Sequence, residues 1–277
     1  SVLGTAATRA AQNQLRPYYA QFPNFATINQ VGSGANSHYN GLIASIRTNA
    51  WHGLTSKFSY TLGHSVDDAS AVRGLTPTDS RNLRFDYGDS SFDVRHTFTS
   101  YITYDLPSPH AGPKLLVRGW QLNSLMSFYT GLPFTVTAGK NISGTFENKD
   151  RVDVTGNPYV SDHSLTNGYV LWLNKAAFAL PAPGTFGNER RNMFRGPGFS
   201  DVDFSVFKNT SITERIKTQL RIEMFNLFNR KNYPVPNANF SSGSFGRISD
   251  TIGDYNGATG IGAGEPFNVQ LALKVVF

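Results

Sequence analysis

The chain has 277 residues, 39% of them hydrophobic and only 16% charged, with 26 glycines, 14 prolines, no cysteine and a formal net charge of +6. Ordinary soluble domains carry about 25% charge, so this surface is short of ions although the chain is long enough to bury a core. No apolar run approaches the roughly 20 residues of a membrane-spanning helix, which excludes helical membrane proteins, and the lack of cysteine excludes disulfide scaffolds and thiolate sites.

The opening SVLGTAATRAAQNQ has no basic start followed by an apolar block, so any signal peptide is expected to be removed or never to have been part of this chain. Residues 1–24 read as a leading loop or partial strand and 25–277 as a run of strands. Two weaker strands come first, around Phe25 to Val31 and around Tyr39 to Thr48, the latter with Leu42, Ala44 and Ile46 on its apolar face. From Leu54 to Gly63, Leu54, Phe58, Tyr60 and Leu62 alternate with Thr55, Lys57, Ser59 and Thr61. Period two, where helical spacing is hard to find, signals strands with two different faces. The same alternation sets Val94, Phe98, Ile102, Tyr104 and Leu106 against Arg95, Thr97, Thr99, Tyr101 and Thr103. It sets Trp120, Leu122, Met126 and Phe128 against Gln121, Asn123, Ser127 and Tyr129. Val202, Phe204 and Val206 oppose Asp201, Asp203 and Ser205; Ile216, Leu220, Ile222 and Met224 oppose Lys217, Gln219, Arg221 and Glu223. The last strand alternates Phe267, Val269, Leu271, Leu273, Val275 and Phe277 with Asn268, Gln270, Ala272 and Lys274. Neither side is pure: Leu125, Phe207 and Phe225 fall on the polar face, and His96, Ser100, Ser124 and Thr218 on the apolar one.

About eight strands result, and their connections alternate in length. Short links around 49–53, 107–114 and 209–215 interleave with long ones at 64–92, 131–199 and 230–265. In an up-and-down meander every second connection lies on the same rim, so short turns gather at one end and long loops at the other. Transmembrane barrels show this segregation, with apolar side chains towards lipid, polar ones towards the lumen and aromatic girdles at the interfaces. Strands of about 9–11 tilted residues cross a bilayer, and because lipid offers no hydrogen-bond partner they must close into a ring with one another or with additional strands. The fold class is therefore all-β, an antiparallel up-and-down transmembrane barrel segment. The polar face offers Lys57, Arg95, Gln121, Asn123, Asp203, Arg221 and Glu223, with Gln219 and Gln270, as lumen-facing candidates; Arg221 and Glu223 point to one side, placed to pair with charges on neighbouring strands.

The stretches GLTSKFSYTLGHSVDD, FDVRHTFTSYITYDLP, GWQLNSLMSFYTGLPFTV, WLNKAAFALPAPGTFGNERRNMFRGPGFSDVDFSVFKN and TERIKTQLRIEMFNLFNRKNYPVPN, taken jointly, resemble the C-terminal part of the β-barrel of TonB-dependent outer-membrane receptors, in particular the Oar-like group with a carboxypeptidase-regulatory-like N-terminal domain. The resemblance covers nearly everything after residue 15. It implies about eight strands of a 22-stranded type barrel in the outer membrane of a Gram-negative bacterium. It further implies uptake or surface binding of a bulky nutrient, with TonB and the barrel-assembly machinery as partners of the complete protein. The family's plug and TonB-contacting segment are not visible in this sequence, so the chain is expected to be part of a longer receptor or to close alone. The terminal LALKVVF is similar to the family's assembly signal, which would give Phe277, with Val275 and Leu273, a role in insertion. Two rival readings are a self-contained small barrel acting as adhesin or passive pore, and a soluble β-sandwich carbohydrate-binding protein or glycosidase.

Other motifs yield little chemistry. The histidines His38, His52, His64, His96, His110 and His163 show no metal-ligand spacing, and no cofactor is expected. Asp67 with Asp68, and Asp201 with Asp203, read as solvated loop and lumen charges; glycoside cleavage would need two carboxylates across a cleft. GATGIGAG at 257–264 is not followed by a helix-forming segment, so it reads as a flexible loop tip and not a phosphate cradle. Arg190, Arg191 and Arg195, and Arg230 with Lys231, read as solvated or rim charges; without a nucleic-acid-binding signature, no nucleic-acid partner is expected. The chain is expected not to be an enzyme.

Overall fold

In a computed structural model, residues 9–16, 18–25, 32–70, 77–145, 149–252 and 266–277 are described. Of the strand expected over Phe25–Val31 only Phe25 lies among them, and the glycine-rich stretch 257–264 lies outside them. Arg9–Gln14 form a short helix. Seven long strands then make one sheet: β1 (Ser37–Trp51), β2 (Leu54–Asp67), β3 (His96–Asp105), β4 (Trp120–Tyr129), β5 (Phe199–Ser211), β6 (Lys217–Phe225) and β7 (Asn268–Val276). They pair in chain order, every pair antiparallel, with a two-residue strand, Gly88–Asp89, added beside the end of β2. The sheet is an open meander, and its outer strands β1 and β7 are exposed at all but one position each.

The alternation seen in the sequence is carried across the sheet by the register. One row runs Lys57, Tyr101, Leu125, Asp203 and the next Thr55, Thr103, Asn123, Ser205, Glu223, Gln270. On the other face a row runs Leu54, Tyr104, Leu122, Val206, Ile222, Leu271. A slip of one residue in any pair would put one strand's polar set among its neighbours' apolar set; none occurs between these long strands in the rows named.

The connections segregate as expected. The β1–β2 turn is only His52 and Gly53, both at positive φ (49° and 87°), the type I′ geometry that matches strand twist. A Cβ on Gly53 would lie 2.6 Å from the Asp105 carbonyl oxygen, so this turn needs glycine. The other short links span 106–119, which includes the helical turn Lys114–Val117, and 212–216. The long links span 68–95, 130–198 and 226–267.

The hydrophobic core lies outside the long strands. Phe134, Val136, Ala138, Val152, Leu173, Ala177, Phe178, Phe194 and Phe245 form it, all from the second and third long links, while strand residues such as Leu42, Ile46, Leu271 and Leu273 are exposed. A β-sandwich would bury such residues between two sheets. Here the loops supply the globular part, a cap of short two-stranded pieces such as Asp153–Val154 with Phe178–Ala179 and Pro133–Phe134 with Phe194–Arg195.

Candidate functional site: the loop cap and the polar face

The cap is held together by the residues that made these segments look like loops. Asp150 accepts the backbone N–H groups of Ile142 at 2.5 Å and Ser143 at 2.8 Å and the Ser143 hydroxyl at 2.6 Å. Asn192 donates to the Asp89 carbonyl oxygen at 2.6 Å. Ser241 donates to the Ala138 carbonyl oxygen at 2.6 Å. Side-chain-to-backbone bonds of this type satisfy buried backbone groups where no ladder does. Inside the core, Phe178 meets Phe194 and Phe245 edge-to-face at 5.5 and 5.4 Å, a favoured geometry for aromatic pairs.

Arginines of the cap clamp it to the wall and to the first long link. Arg191 pairs with Asp67 at 2.8 Å and also donates to the Asp67 and Asp86 carbonyl oxygens. Arg195 bridges Asp89 and Asp93 and donates to the Asp93 and Gly131 carbonyl oxygens. Arg151, itself 2% exposed, pairs with Asp86 at 3.3 Å and donates to the Phe85 carbonyl oxygen. Arg95 joins the same group through Asp89 and Asp93, and His64 lies 3.1 Å from Asp89. Burial pushes the Asp89 carboxyl up, but hydrogen bonds to His64 and Arg195 and the charges of Arg195 and Arg95 outweigh it and hold the group below the usual carboxylate range. Charge-assisted bonds to a planar guanidinium suit such a fixed junction.

These contacts correct the sequence reading at three points. Arg191 and Arg195 are not solvated rim charges; they sit between cap and wall. Asp67 is not a solvated loop residue; it ends β2, is 2% exposed and pairs with Arg191. Arg221 does not reach a charge on a neighbouring strand: its Nε–H donates to Gln219 on its own strand at 2.6 Å, and its guanidinium lies 4.9 Å over the Phe207 ring. Asp86, Asp89, Asp93, Arg151 and Glu189 join the cap without belonging to any site motif of the sequence. The Asp spacing in FDYGDSSFDVR opposite the Arg spacing in RRNMFR is a signal for the three aspartates, and neither stretch contains Arg151 or Glu189.

Glu189 is 2% exposed; one carboxyl oxygen accepts the Val136 N–H at 2.7 Å and the other has no hydrogen-bond partner among the described residues. Burial pushes its carboxyl up to about 8, against the pull of the Val136 N–H and of Arg151.

Of the polar-face residues expected from the sequence, Lys57, Gln121, Asn123, Asp203, Arg221 and Glu223 occupy one face of the wall by register. Arg95, opposite Gly63 on the same face, is drawn into the clamp. The face is knit by Thr103 to Asn123 at 3.0 Å and by Gln121 to Asp105 at 2.7 Å. Asp203 accepts the Asn226 N–H at 2.9 Å. A groove of about 370 Å³ runs along it, lined by Tyr101, Asn123, Leu125, Asp203, Phe207 and Glu223 among others. Towards the loop rim the same face is covered: Ser65 and Asp67 of β2 are buried, whereas Lys57 in mid-strand is exposed. Among the described residues no group of His, Asp or Glu is set to hold a metal ion.

A seven-stranded meander with a bare apolar face, a polar groove and loops gathered at one rim is the arrangement of a membrane barrel wall. A family model, the outer membrane beta barrel domain, matches residues 2–259. The chain belongs to the outer-membrane β-barrel family. Comparison with curated proteins and with solved structures finds no match. Membership places this barrel protein in the bacterial outer membrane and makes the apolar face the one that meets lipid; the soluble sandwich reading falls with it.

Proposed function

We propose that this barrel wall is the C-terminal part of a TonB-dependent receptor that binds or takes up a bulky nutrient, without enzymatic activity of its own. The observation that carries the reading is the folded cap: two of the long links share a hydrophobic core, and arginines of the second fix it, with the first link, over the polar face. Rigid, preorganised loops over a polar interior suit recognition of a ligand at the mouth of a large barrel, whereas a passive pore gains nothing from covering its own lumen. Barrels of 22 strands carry a plugged lumen, and in such a protein Lys57, Asn123, Asp203 and Glu223 would line the passage beside the plug. TonB and the barrel-assembly machinery would be partners of the complete receptor, and Phe277, Val275 and Leu273 its assembly signal.

Two measurements on the full-length protein separate this reading from the small-pore alternative. In-cell crosslinking to TonB is expected, together with silent planar bilayers. Steady ion conductance without a TonB crosslink would establish the passive pore instead.

A further inference from the structure

On the seven strands, the apolar face carries a single Asp, Glu, Lys or Arg among the described residues, and it is Lys208 of β5. Lys208 stands in the row Trp120, Lys208, Leu220, Leu273, close to the short-turn rim. Its ammonium lies 5.6 Å over the Trp120 ring and donates to the Arg118 carbonyl oxygen, which leaves two of its three donors without a described partner. The Trp120 indole N–H in turn donates to the Leu116 carbonyl oxygen at 2.7 Å, docking the helical turn Lys114–Val117 against the same spot. Gly119 makes the approach close: at φ +77°, a Cβ there would sit 2.1 Å from the Asn209 carbonyl oxygen. Leu115 and Leu116 are left 61% and 67% exposed. Lys114 and Arg118 are exposed beside them, and none of Lys114, Arg118 and Lys208 joins an ion pair among the described residues.

We propose that Lys208, Arg118 and Lys114 bind the phosphate of an anionic phospholipid in the periplasmic leaflet, with its acyl chains against Trp120, Leu115 and Leu116. Short turns of outer-membrane barrels lie on the periplasmic side, so this rim faces phospholipid headgroups. A lysine alone near an interface would simply extend to water. Here its ammonium is held back over an indole, with two further cations and no carboxylate partner beside it, and exposed leucines adjoin it at the depth where chains begin. The site depends on membership of the barrel family and not on the receptor reading, so either can fail without the other.

The test is native mass spectrometry of the full-length protein purified from membranes in nonionic detergent. Phosphatidylglycerol and phosphatidylcholine of identical chains are offered in turn. Retention of phosphatidylglycerol over phosphatidylcholine is expected, falling about fivefold for each of Lys208→Gln and Arg118→Gln. Lys208→Arg should keep it, and Lys57→Gln on the opposite face should leave it unchanged. Arg118→Gln, on an exposed link, reads out the site even if Lys208→Gln fails to fold. Equal retention of both lipids, no loss in Arg118→Gln, or displacement of the lipid by glycerol phosphate that lacks acyl chains would each overturn the proposal.

Discussion

Glu189 shows how a single side chain ties the cap to proton concentration. Its carboxyl, ordinarily near 4.5, is raised by burial to about 8, so the folded cap holds a proton that the unfolded chain gives up. Stability is then greatest below the unfolded value and declines as pH rises from about 4.5 towards about 8, because the unfolded chain ionises first. At 1.36 kcal/mol per unit the loss is on the order of 5 kcal/mol. Unfolding of the detergent-solubilised protein, followed by tryptophan fluorescence at pH 5 and pH 8.5, should show the decline. Glu189→Gln should abolish it while keeping an acceptor for the Val136 N–H; an unchanged slope in that variant would remove the assignment. The arginine clamp behaves differently, since Asp89 is held below the usual range and its pairs persist well into mild acid.

At the scale of the element, the contrast between the faces of β6 makes a sharp comparison. Ile222 lies on the apolar face between Val206 and Leu271, and Gln219 on the polar face between Asn209 and Lys274. Ile222→Arg should cost about 2–4 kcal/mol near mid-bilayer, while Gln219→Arg should be tolerated. Folding titrations into phospholipid vesicles measure both, and equal costs would contradict lipid contact on the Ile222 side. The strands were legible because this two-sided environment writes period two into the chain: every long strand found in the structure was visible as an alternation, and the register follows from keeping the faces consistent. The cap was not. Phe134, Val136 and Ala138 alternate too, but over so few residues, amid Gly, Pro and Asn, that they read as loop. The Arg191–Asp67 pair is separated by 124 positions in sequence, and nothing local in either segment announces the other. Acidic and basic clusters in loops look solvated until the fold brings them together.

For the whole molecule, division of labour is the main feature: a wall whose hydrophobic side stays bare for lipid, and a cap that keeps the protein's own core. Destabilising the cap should therefore leave the wall's insertion intact, whereas changes to the proposed assembly signal in the final strand should affect insertion itself. Phe277 ends the chain almost fully exposed, at 96%, beyond the last residue of β7. Deleting it should lower the amount of folded protein in the outer membrane, read as loss of heat-modifiable mobility in membrane fractions; wild-type levels would mean that the terminal aromatic has no part in assembly.

The direction of the margins sets one last condition. Neighbouring strands alternate in direction, so β1 and β7, first and seventh in line, point the same way. Zipped to each other they would meet head beside head, a seam unlike every other seam in the wall. An all-antiparallel cylinder built on these seven staves needs an odd number of additional ones between the two margins. A second identical set of seven contributes an odd number, but twofold symmetry about the cylinder axis would leave like-directed staves at both joins. The seven described strands and a symmetric twin of them therefore cannot by themselves complete such a cylinder.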